Sequence, residues 1–404
     1  MSQAPDERPA STGEAPPAPS ETYLLAADAS GRQIVSVHVK RTYRLGADGH
    51  CRRFEGAIPL LLGPTSNDDE ETFPETDVIP FKGRTDLVVM AKAWGRGARQ
   101  VTAKIRVGPL ELRYHVSGER RAIYRGRGSW SFSVPEPFEA VDLRYDNAYG
   151  GFDETAPEPE IAHIIDLLNL HPGAYPRNTI GKGYVVQESR ERIDGLVLPN
   201  VEHPEQLLTP DRLVTGSPDL WWRQPLAWSC GWFPKLAYPR IAHFRGVPDG
   251  IPEDDREMAE VRLGWLEPGY ARRSAALTLD EPMDARCADA ASPALVLPFL
   301  RGDEAIELTA MTPDGRLVVQ LPGERPRIQI RCLGESYELA AVPHRVLVST
   351  LEMGVFVVWH GAWVPPVPLP LRTVGPHEGM AEALEGVESL VDGRPIAPLG
   401  AEGA

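Results

Sequence analysis

Hydrophobic and polar residues alternate with a period of two in the first part of the chain. In VSVHVKRTYRL, from Val35 to Leu45, valine, tyrosine and leucine alternate with polar residues, which predicts a strand with one buried face. VTAKIRV and LELRYHV alternate on either side of Gly108-Pro109 and predict a hairpin. WSFSV continues the pattern, and the more apolar TDLVVMAKAW predicts a more deeply buried strand.

The same alternation returns between about Val261 and Val364. EAIELTA, GRLVVQL, RIQIR, HRVLVST and GVFVVWH each predict a strand. TPDGR, between the first two, predicts a tight turn because Asp-Gly suits the reversal of a hairpin.

Two short helices are predicted outside these blocks. The first lies in EIAHIIDLLNL, within a segment rich in proline, glycine and tryptophan, and its helical face is formed by Ile161, Ile164, Ile165 and Leu168. The second lies near the C-terminus, where a weaker helical spacing joins Met380, Leu384, Val387 and Val391.

These elements predict a mainly β protein with two antiparallel β-rich lobes, sandwich- or barrel-like, joined by a loop-rich segment with short helices. The 40 prolines and 37 glycines among 404 residues agree with this, because both interrupt helices. The predicted units are a disordered proline-rich tail (1–20), an N-terminal lobe (21–141), a Trp-rich middle segment with one short helix (142–252), a C-terminal lobe (253–370) and a flexible acidic tail with a short helix (371–404).

Net charge and cysteine spacing exclude several classes of function. The net charge of −15 disfavours nucleic-acid binding, although ERRAIYRGRGSW is locally basic. The four cysteines are too far apart for a zinc knuckle or a redox pair. The first twenty residues lack the apolar core of a signal peptide, and no apolar run approaches the ~18 residues of a membrane span. We therefore expect a cytoplasmic protein with reduced thiols that binds neither nucleic acid nor membrane.

The stretch AYPRNTIGKGYV, from Ala174 to Val185, contains a Gly-Lys pair that invites comparison with a phosphate-binding loop. Such a loop needs glycine five residues before the Gly-Lys pair and a hydroxyl after it. Pro176 and Gly183 occupy those two positions, so the stretch is interpreted as a loop shaped by its glycines and prolines. GRGARQ and GRGSWS each lack the third glycine of a dinucleotide-binding motif.

Other reactive residues leave two alternatives open. His163, His171 and His203 lack the spacing of a helical zinc site, and no metal or other cofactor is predicted. An enzyme could use carboxylates near Asp146 and Asp153, or Cys230, although capping roles and a buried thiol are the more ordinary interpretations. A carbohydrate-binding module could use Trp221, Trp222 and Trp232, although core packing of these side chains is favoured.

Several further motifs occur in order along the chain. They are DVIPFKGRTDLVVMAKAW; RYDNAYGGFD, with Ala-aromatic-Gly-Gly at 148–151; YPRNTIGKGY; LPNVEHPEQLL; RGDEAIELTAMTPDGRLVVQLPGERPRI; and VFVVWHG. Together they resemble the domain-of-unknown-function family 2169. The resemblance runs from about Val35 to Trp363. It departs in AVPHRVLVST, where Pro343-His344-Arg345 stands in place of the Asp-Thr typical of relatives.

The resemblance implies a non-enzymatic accessory protein of bacterial type VI secretion. Members look like adaptors or chaperones that hold a toxic effector in the cytoplasm of a Gram-negative cell and help load it onto the VgrG/PAAR spike. No catalytic residues carry over. The residues we expect to shape loops or to contact a partner are Tyr145, Tyr149, Gly150, Gly151, Tyr175, Pro176, Arg177, Asn178, Gly181, Lys182, Gly183, Trp221 and Trp222.

Overall fold

The computed structural model describes residues 19–27, 32–56, 58–62, 76–79, 82–157, 171–235, 237, 290–374 and 381–399. Its regular elements are almost all strands, which confirms the mainly β prediction. The predicted helix through Ile161 and Leu168 lies outside the described residues.

Ten strands lie among the described residues of the first part of the chain. They are β1 (Glu21–Ala27), β2 (Gln33–Leu45), β3 (Cys51–Arg53), β4 (Thr85–Met90), β5 (Lys92–Trp94), β6 (Gln100–Val107), β7 (Leu110–Ser117), β8 (Ala122–Gly126), β9 (Ser129–Phe132) and β10 (Ala140–Asp142). The hairpin predicted around Gly108-Pro109 is β6–β7, whereas TDLVVMAKAW divides into β4 and β5.

The elements that the structure describes in the middle segment are all short. Its strands are β11 (Tyr149–Gly150), β12 (Lys182–Gly183) and β13 (Val201–Glu202), and its helices are α1 (Arg190–Ile193) and the 3-10 helices Tyr145–Asn147, Pro210–Arg212 and Pro218–Arg223. Ser189 begins α1 by accepting a hydrogen bond from Arg192 N at 3.0 Å, the usual role of serine at a helix start.

The last part returns to strands after the 3-10 helix Pro293–Leu295. They are β14 (Val296–Leu297), β15 (Ala305–Thr309), β16 (Arg316–Gln320), β17 (Ile328–Cys332), β18 (Glu335–Leu339), β19 (Val342–Ser349), β20 (Gly354–Trp363), β21 (Leu371–Val374), β22 (Ala381–Leu384), β23 (Val387–Val391) and β24 (Arg394–Pro395). The C-terminal helix prediction is wrong, because Leu384, Val387 and Val391 lie in strands.

Strands from the two ends of the chain combine in the same sheets. The large sheet has the order β1-β2-β20-β19-β4-β14, with β3 also paired to β2, and the five-stranded sheet has the order β13-β7-β6-β15-β16. The four-stranded sheet is β18-β17-β23-β24. Antiparallel pairing dominates, with β4–β19 and β11–β12 as parallel pairs, and no described sheet closes into a barrel. The strand blocks assigned to two lobes therefore share their two largest sheets.

One hydrophobic core contains side chains from all three sheets, including Val37 of the large sheet, Ile105 of the five-stranded sheet and Ile330 of the four-stranded sheet. A second, aromatic-rich core belongs to the middle segment. The expectation that β2 has one buried face is wrong: Ser36 and His38, on its polar face, are fully buried as well.

Candidate functional site

The two glycine-containing motifs of the middle segment meet in space. We call residues 145–151 and 175–183 the signature loops. Tyr149 lies opposite Lys182 and Gly150 opposite Gly183 in the parallel pair β11–β12. Tyr184 N donates to Gly150 O at 3.0 Å on the far side of this pair. The loops are therefore joined through their backbones.

Asn178 links the signature loops through its side chain. It is fully buried, and its Nδ2 donates to Tyr145 O at 2.7 Å and to Tyr149 O at 3.1 Å. Gly151 N donates to the Asn178 carbonyl at 2.8 Å. One asparagine thus satisfies three backbone groups that burial would otherwise leave without a partner.

Two glycines allow this close approach. Gly150 has a φ of +149°, and a Cβ built on it would overlap the Asn178 carbonyl. A Cβ on Gly181 would stand only 2.7 Å from Ala148 O and 2.9 Å from Gly150 Cα. The backbone itself occupies the space of a side chain, so these positions require glycine.

Lys182 does not present a free ammonium for phosphate. Its Nζ donates to Asn147 Oδ1 at 2.8 Å and to Asn200 Oδ1 at 2.9 Å. The side chain is half-buried, and burial lowers the pKa of Lys182, opposed by the charges of Asp146 and Glu119. The lysine ties the first signature loop to the segment around Asn200.

An aromatic cluster packs under the signature loops. The ring of Tyr149 meets that of Tyr175 edge to face at 5.1 Å, and the ring of Tyr184 lies 5.2 Å from that of Tyr175. Tyr175 Oη donates to Pro225 O at 2.7 Å. The Arg177 guanidinium lies over the Trp221 ring at 5.1 Å, a cation–π contact.

Burial decides what these predicted residues can do. Tyr145, Tyr149, Tyr175, Arg177, Asn178 and Trp221 are all buried, as are Gly150, Gly151, Pro176 and Gly183, while Gly181 and Lys182 are half-buried. The side chain of Trp222 is outside the described residues. The described members of the set therefore hold the middle segment together from within.

The residues of the alternative enzyme are also engaged internally. Asp153 is fully buried, with Oδ2 accepting from Val186 N at 2.8 Å and Oδ1 accepting from Thr155 Oγ1 at 2.7 Å. Asp146 is half-buried, and its Oδ1 lies 3.5 Å from Arg144 Nε. Cys230 is buried without exposure, and burial strongly raises the pKa of its thiol. A thiol in that state is a weak nucleophile.

A second site, which sequence reasoning missed, lies on the polar face of the large sheet. We call it the buried polar layer. It consists of Ser36, His38, Lys40, Asp86, His344, Arg345 and His360 of the sheet, with Asp77 and Lys82 from outside it. The signal was present as the polar half of the β2 alternation, but alternation alone assigned that half to solvent.

A β-bulge builds part of this layer. The pairing of β19 with β20 shifts between Pro343 and Arg345, which leaves His344 as the extra residue. The ring of His344 consequently lies among the imidazoles, while the next residue, Arg345, forms an ion pair with Asp77. The Pro-His-Arg stretch singled out by the motif comparison thus coincides with the bulge.

Three histidines cluster on adjacent strands. His38 and His360 are cross-strand neighbours, and Ser36 Oγ lies 3.0 Å from His38 Nε2 and 2.8 Å from His360 Nε2. The ring of His344 lies 5.5 Å from that of His38 and 5.7 Å from that of His360. Burial, then the charge of the neighbouring His360, lowers the pKa of His38, and burial, then Lys82, lowers that of His344.

Buried ion pairs surround the histidines. Lys82 Nζ lies 3.0 Å from Asp86 Oδ1 with both side chains fully buried. Asp77 accepts from Lys40 Nζ at 3.0 Å and also pairs with Arg345. Burial, then the charge of Arg345, lowers the pKa of Lys40 to about 8. Charges this deep are costly unless paired, so the layer depends on these contacts.

Metal and membrane sites were sought across the part of the chain that the structure describes. No group of three or more His, Cys, Asp or Glu side chains there has the geometry of a metal site. Within the same residues, no helix has the length and apolar character needed to cross a membrane.

An exposed apolar strip lies at the end of β20. The run VPPVPLPL, Val364–Leu371, carries no charge, and Val364, Val367 and Leu371 are 41 %, 55 % and 52 % exposed. Leu371 pairs with Leu384, and the turn that follows Leu384 contains Gly386, beside which lies the side chain of Leu333. We call Val364–Leu371 together with Leu333 the apolar strip.

Comparison with known proteins identifies one family. The model of DUF2169, described as an uncharacterized protein conserved in bacteria, matches residues 30–360. The match includes both signature loops and all residues of the buried polar layer. No curated protein and no solved structure matches the chain.

Proposed function

Because the chain belongs to the DUF2169 family of uncharacterized bacterial proteins, we propose that it is a cytoplasmic type VI secretion adaptor. It binds a toxic effector, keeps it soluble and helps load it onto the VgrG/PAAR spike. The link to type VI secretion rests on the motif resemblance described above. The structural support concerns the kind of activity, which is binding of another protein.

The observation that carries the proposal is the apolar strip. Leu333 is 76 % exposed and has a φ of +50°, a strained conformation for a leucine. Because the Leu333 side chain is exposed, its burial does not stabilise the fold and does not offset this strain. Strained backbone positions of this kind are typical of functional sites. A partner that covers Leu333 and the strip would supply that stabilisation.

The strip is also preformed. Gln33 Nε2 donates to Leu369 O at 2.9 Å, and Leu369 N donates to Gln33 Oε1 at 2.9 Å. Glu385 N donates to Pro370 O at 2.8 Å. Prolines restrict the backbone further, so little conformational entropy is lost when a partner binds.

A charged pair lies beside Leu333 on the four-stranded sheet. Arg331, two residues before Leu333, lies 3.1 Å from Glu388 of β23. An apolar centre with a polar rim is the usual anatomy of a protein interface. We therefore place the effector on this strip.

The test is affinity purification of the tagged protein from native cells that express the secretion genes, with mass spectrometry of the bound proteins. We expect one stoichiometric toxin or spike protein. Val367→Asp should weaken its binding at least about tenfold, because the charge would lose its hydration at the interface. Leu351→Asp is the matched control, since Leu351 is 46 % exposed at the opposite end of β20.

Two results would overturn the proposal. Recovery of the protein without a partner would favour the enzyme hypothesis, to be tested with Asp146→Asn and Cys230→Ser in a substrate screen. Equal binding by wild type, Val367→Asp and Leu351→Asp would remove the strip from the interface.

A further inference from the structure

The buried polar layer is covered by two short segments, residues 58–62 and 76–79, and by Lys82. Polar contacts help to hold this cover. Lys40 Nζ donates to Pro59 O at 2.9 Å, Asp77 binds Lys40 and Arg345, and Lys82 Nζ donates to His344 O at 2.9 Å. Leu60, Val78 and Ile79 of the cover are buried as well. The opposite face of the same sheet packs on the main hydrophobic core. The cover therefore depends on buried polar contacts in addition to apolar burial.

The histidines sit where a positive charge is least tolerated. The charged groups facing them among the described residues are Lys40 of β2, Lys82, Arg345 of β19, Asp77 and Asp86 of β4. Both carboxylates are already paired with these cations. Within the described residues no salt bridge reaches His38 or His344. A proton added to either imidazole would thus be a buried charge without a counterion.

Neutral imidazoles also leave the layer under-bonded. His38 Nδ1 and both ring nitrogens of His344 are buried and have no hydrogen-bond partner among the described residues. Buried polar atoms without partners cost free energy and need an explanation. Opening the cover would give these nitrogens water and would let them bind protons.

We propose that the buried polar layer is an acid-sensitive latch, in which protonation of His38 and His344 releases residues 58–62 and 76–79 from the large sheet while the main core stays folded. The closed form holds neutral imidazoles. The open form exposes a basic surface formed by His38, His344, Lys40 and Arg345. The change is local because the other face of the sheet is held by hydrophobic packing.

The direction with pH follows from burial. Above about pH 6.5 the histidines are neutral in both forms and pH has little effect. Below that value the open form binds protons that the closed form excludes, so acid favours opening. From pH 7 to pH 5 the opening equilibrium should rise about 25-fold for each histidine that stays neutral when closed, and up to about 600-fold for both.

Hydrogen exchange read by mass spectrometry tests the latch on the full chain, with rates corrected for the intrinsic effect of pH. Peptides containing Leu61 or Asp77 should lose protection between pH 7 and pH 5, while β6–β7 peptides keep it. His344→Asn should reduce the loss by about 25-fold. His50→Gln, at an exposed histidine outside the layer, should leave it unchanged.

Three outcomes would overturn the latch. Protection of the Leu61 and Asp77 peptides could be the same at both pH values. All peptides could lose protection together, which would indicate global unfolding in place of a local device. His344→Asn could keep the full wild-type response. The first two outcomes are measured on the wild-type protein. They can therefore contradict the proposal even if the His344→Asn variant fails to fold.

Discussion

At the scale of single residues, Gly150 has little freedom to change. Its φ is +149°, and a Cβ would meet the carbonyl of Asn178, which is backbone and cannot swing aside. Gly150→Ala should lower the free energy of unfolding by about 3 kcal/mol or more, as strain and a displaced loop add. Gly128→Ala, at φ +70° with open space around the position, should cost only about 1–2 kcal/mol. Denaturant unfolding of both variants measures the difference, and equal losses would contradict it.

The identity of these residues was accessible from the sequence, but their contacts were not. Glycine and proline marked both signature loops as shaped turns. Nothing in the spacing shows that Asn178 donates to Tyr145 O and Tyr149 O, because those partners lie about thirty residues away. Burial of Arg177 over Trp221 is likewise a result of tertiary packing.

At the scale of elements, alternation located the strands better than it located their surroundings. β2 lies where the pattern predicted, yet both its faces are buried. The alternation placed Ser36 and His38 of β2 on a solvent-facing side, because isolated polar residues are usually exposed. They are buried here because Ser36, His38 and His360 lie within hydrogen-bond distance of one another through the Ser36 hydroxyl. His360 belongs to another strand, so the sequence of β2 alone could not reveal these contacts.

The prediction of a C-terminal helix was wrong because of turn residues within the same segment. Leu384, Val387 and Val391 satisfy a helical spacing, but Glu385-Gly386 and Asp392-Gly393 fall between and after them. Gly386, Asp392 and Gly393 all have positive φ, so both pairs are hairpin turns. Asp-Gly is a strong signal for such a turn, and it outweighs a weak period of 3.6.

The β17–β18 hairpin offers a test of the balance between stability and binding. Its turn is Leu333-Gly334, both with positive φ, where asparagine is preferred to leucine. Leu333→Asn should raise the free energy of unfolding by about 0.5–1 kcal/mol and weaken partner binding under the proposed function. Leu333→Val, branched at Cβ, should lower stability. Calorimetry measures the stability of both variants, and the affinity assay measures their partner binding. A Leu333→Asn variant less stable than the wild type would refute the strain argument.

At the scale of the whole molecule, the order of strands in space could not be inferred from their order in the chain. An inner pair of the large sheet, β2–β20, joins Val35 to Trp363. β15 pairs with β6 in the same way. Two sequence blocks with similar alternation suggest two lobes, whereas pairing between blocks depends on which faces complement each other. The complementarity of strand faces depends on residues throughout the sequence, and no local motif encodes it.

The C-terminal strands belong to this long-range design. Asp392 pairs with Arg41 at 2.7 Å, and Leu399 N donates to Tyr23 O at 2.7 Å. Four side chains of this region are buried in or beside the cores: Leu384, Val387, Leu390 and Val391. At about 1.5–3 kcal/mol each, their burial contributes up to roughly 6–12 kcal/mol. This is comparable to the total stability of a typical protein.

Removing residues 381–404 should therefore prevent cooperative folding of the chain, even though these residues follow the family match. The truncated protein would lose β23, the strand between β17 and β24, and would expose the apolar edge of β17. Removing only residues 400–404 deletes no described contact and should leave the thermal midpoint unchanged. Circular dichroism melts of both truncations measure this. A cooperative melt near the wild-type midpoint for the longer deletion would mean that the terminal strands are an appendage to a fold complete without them.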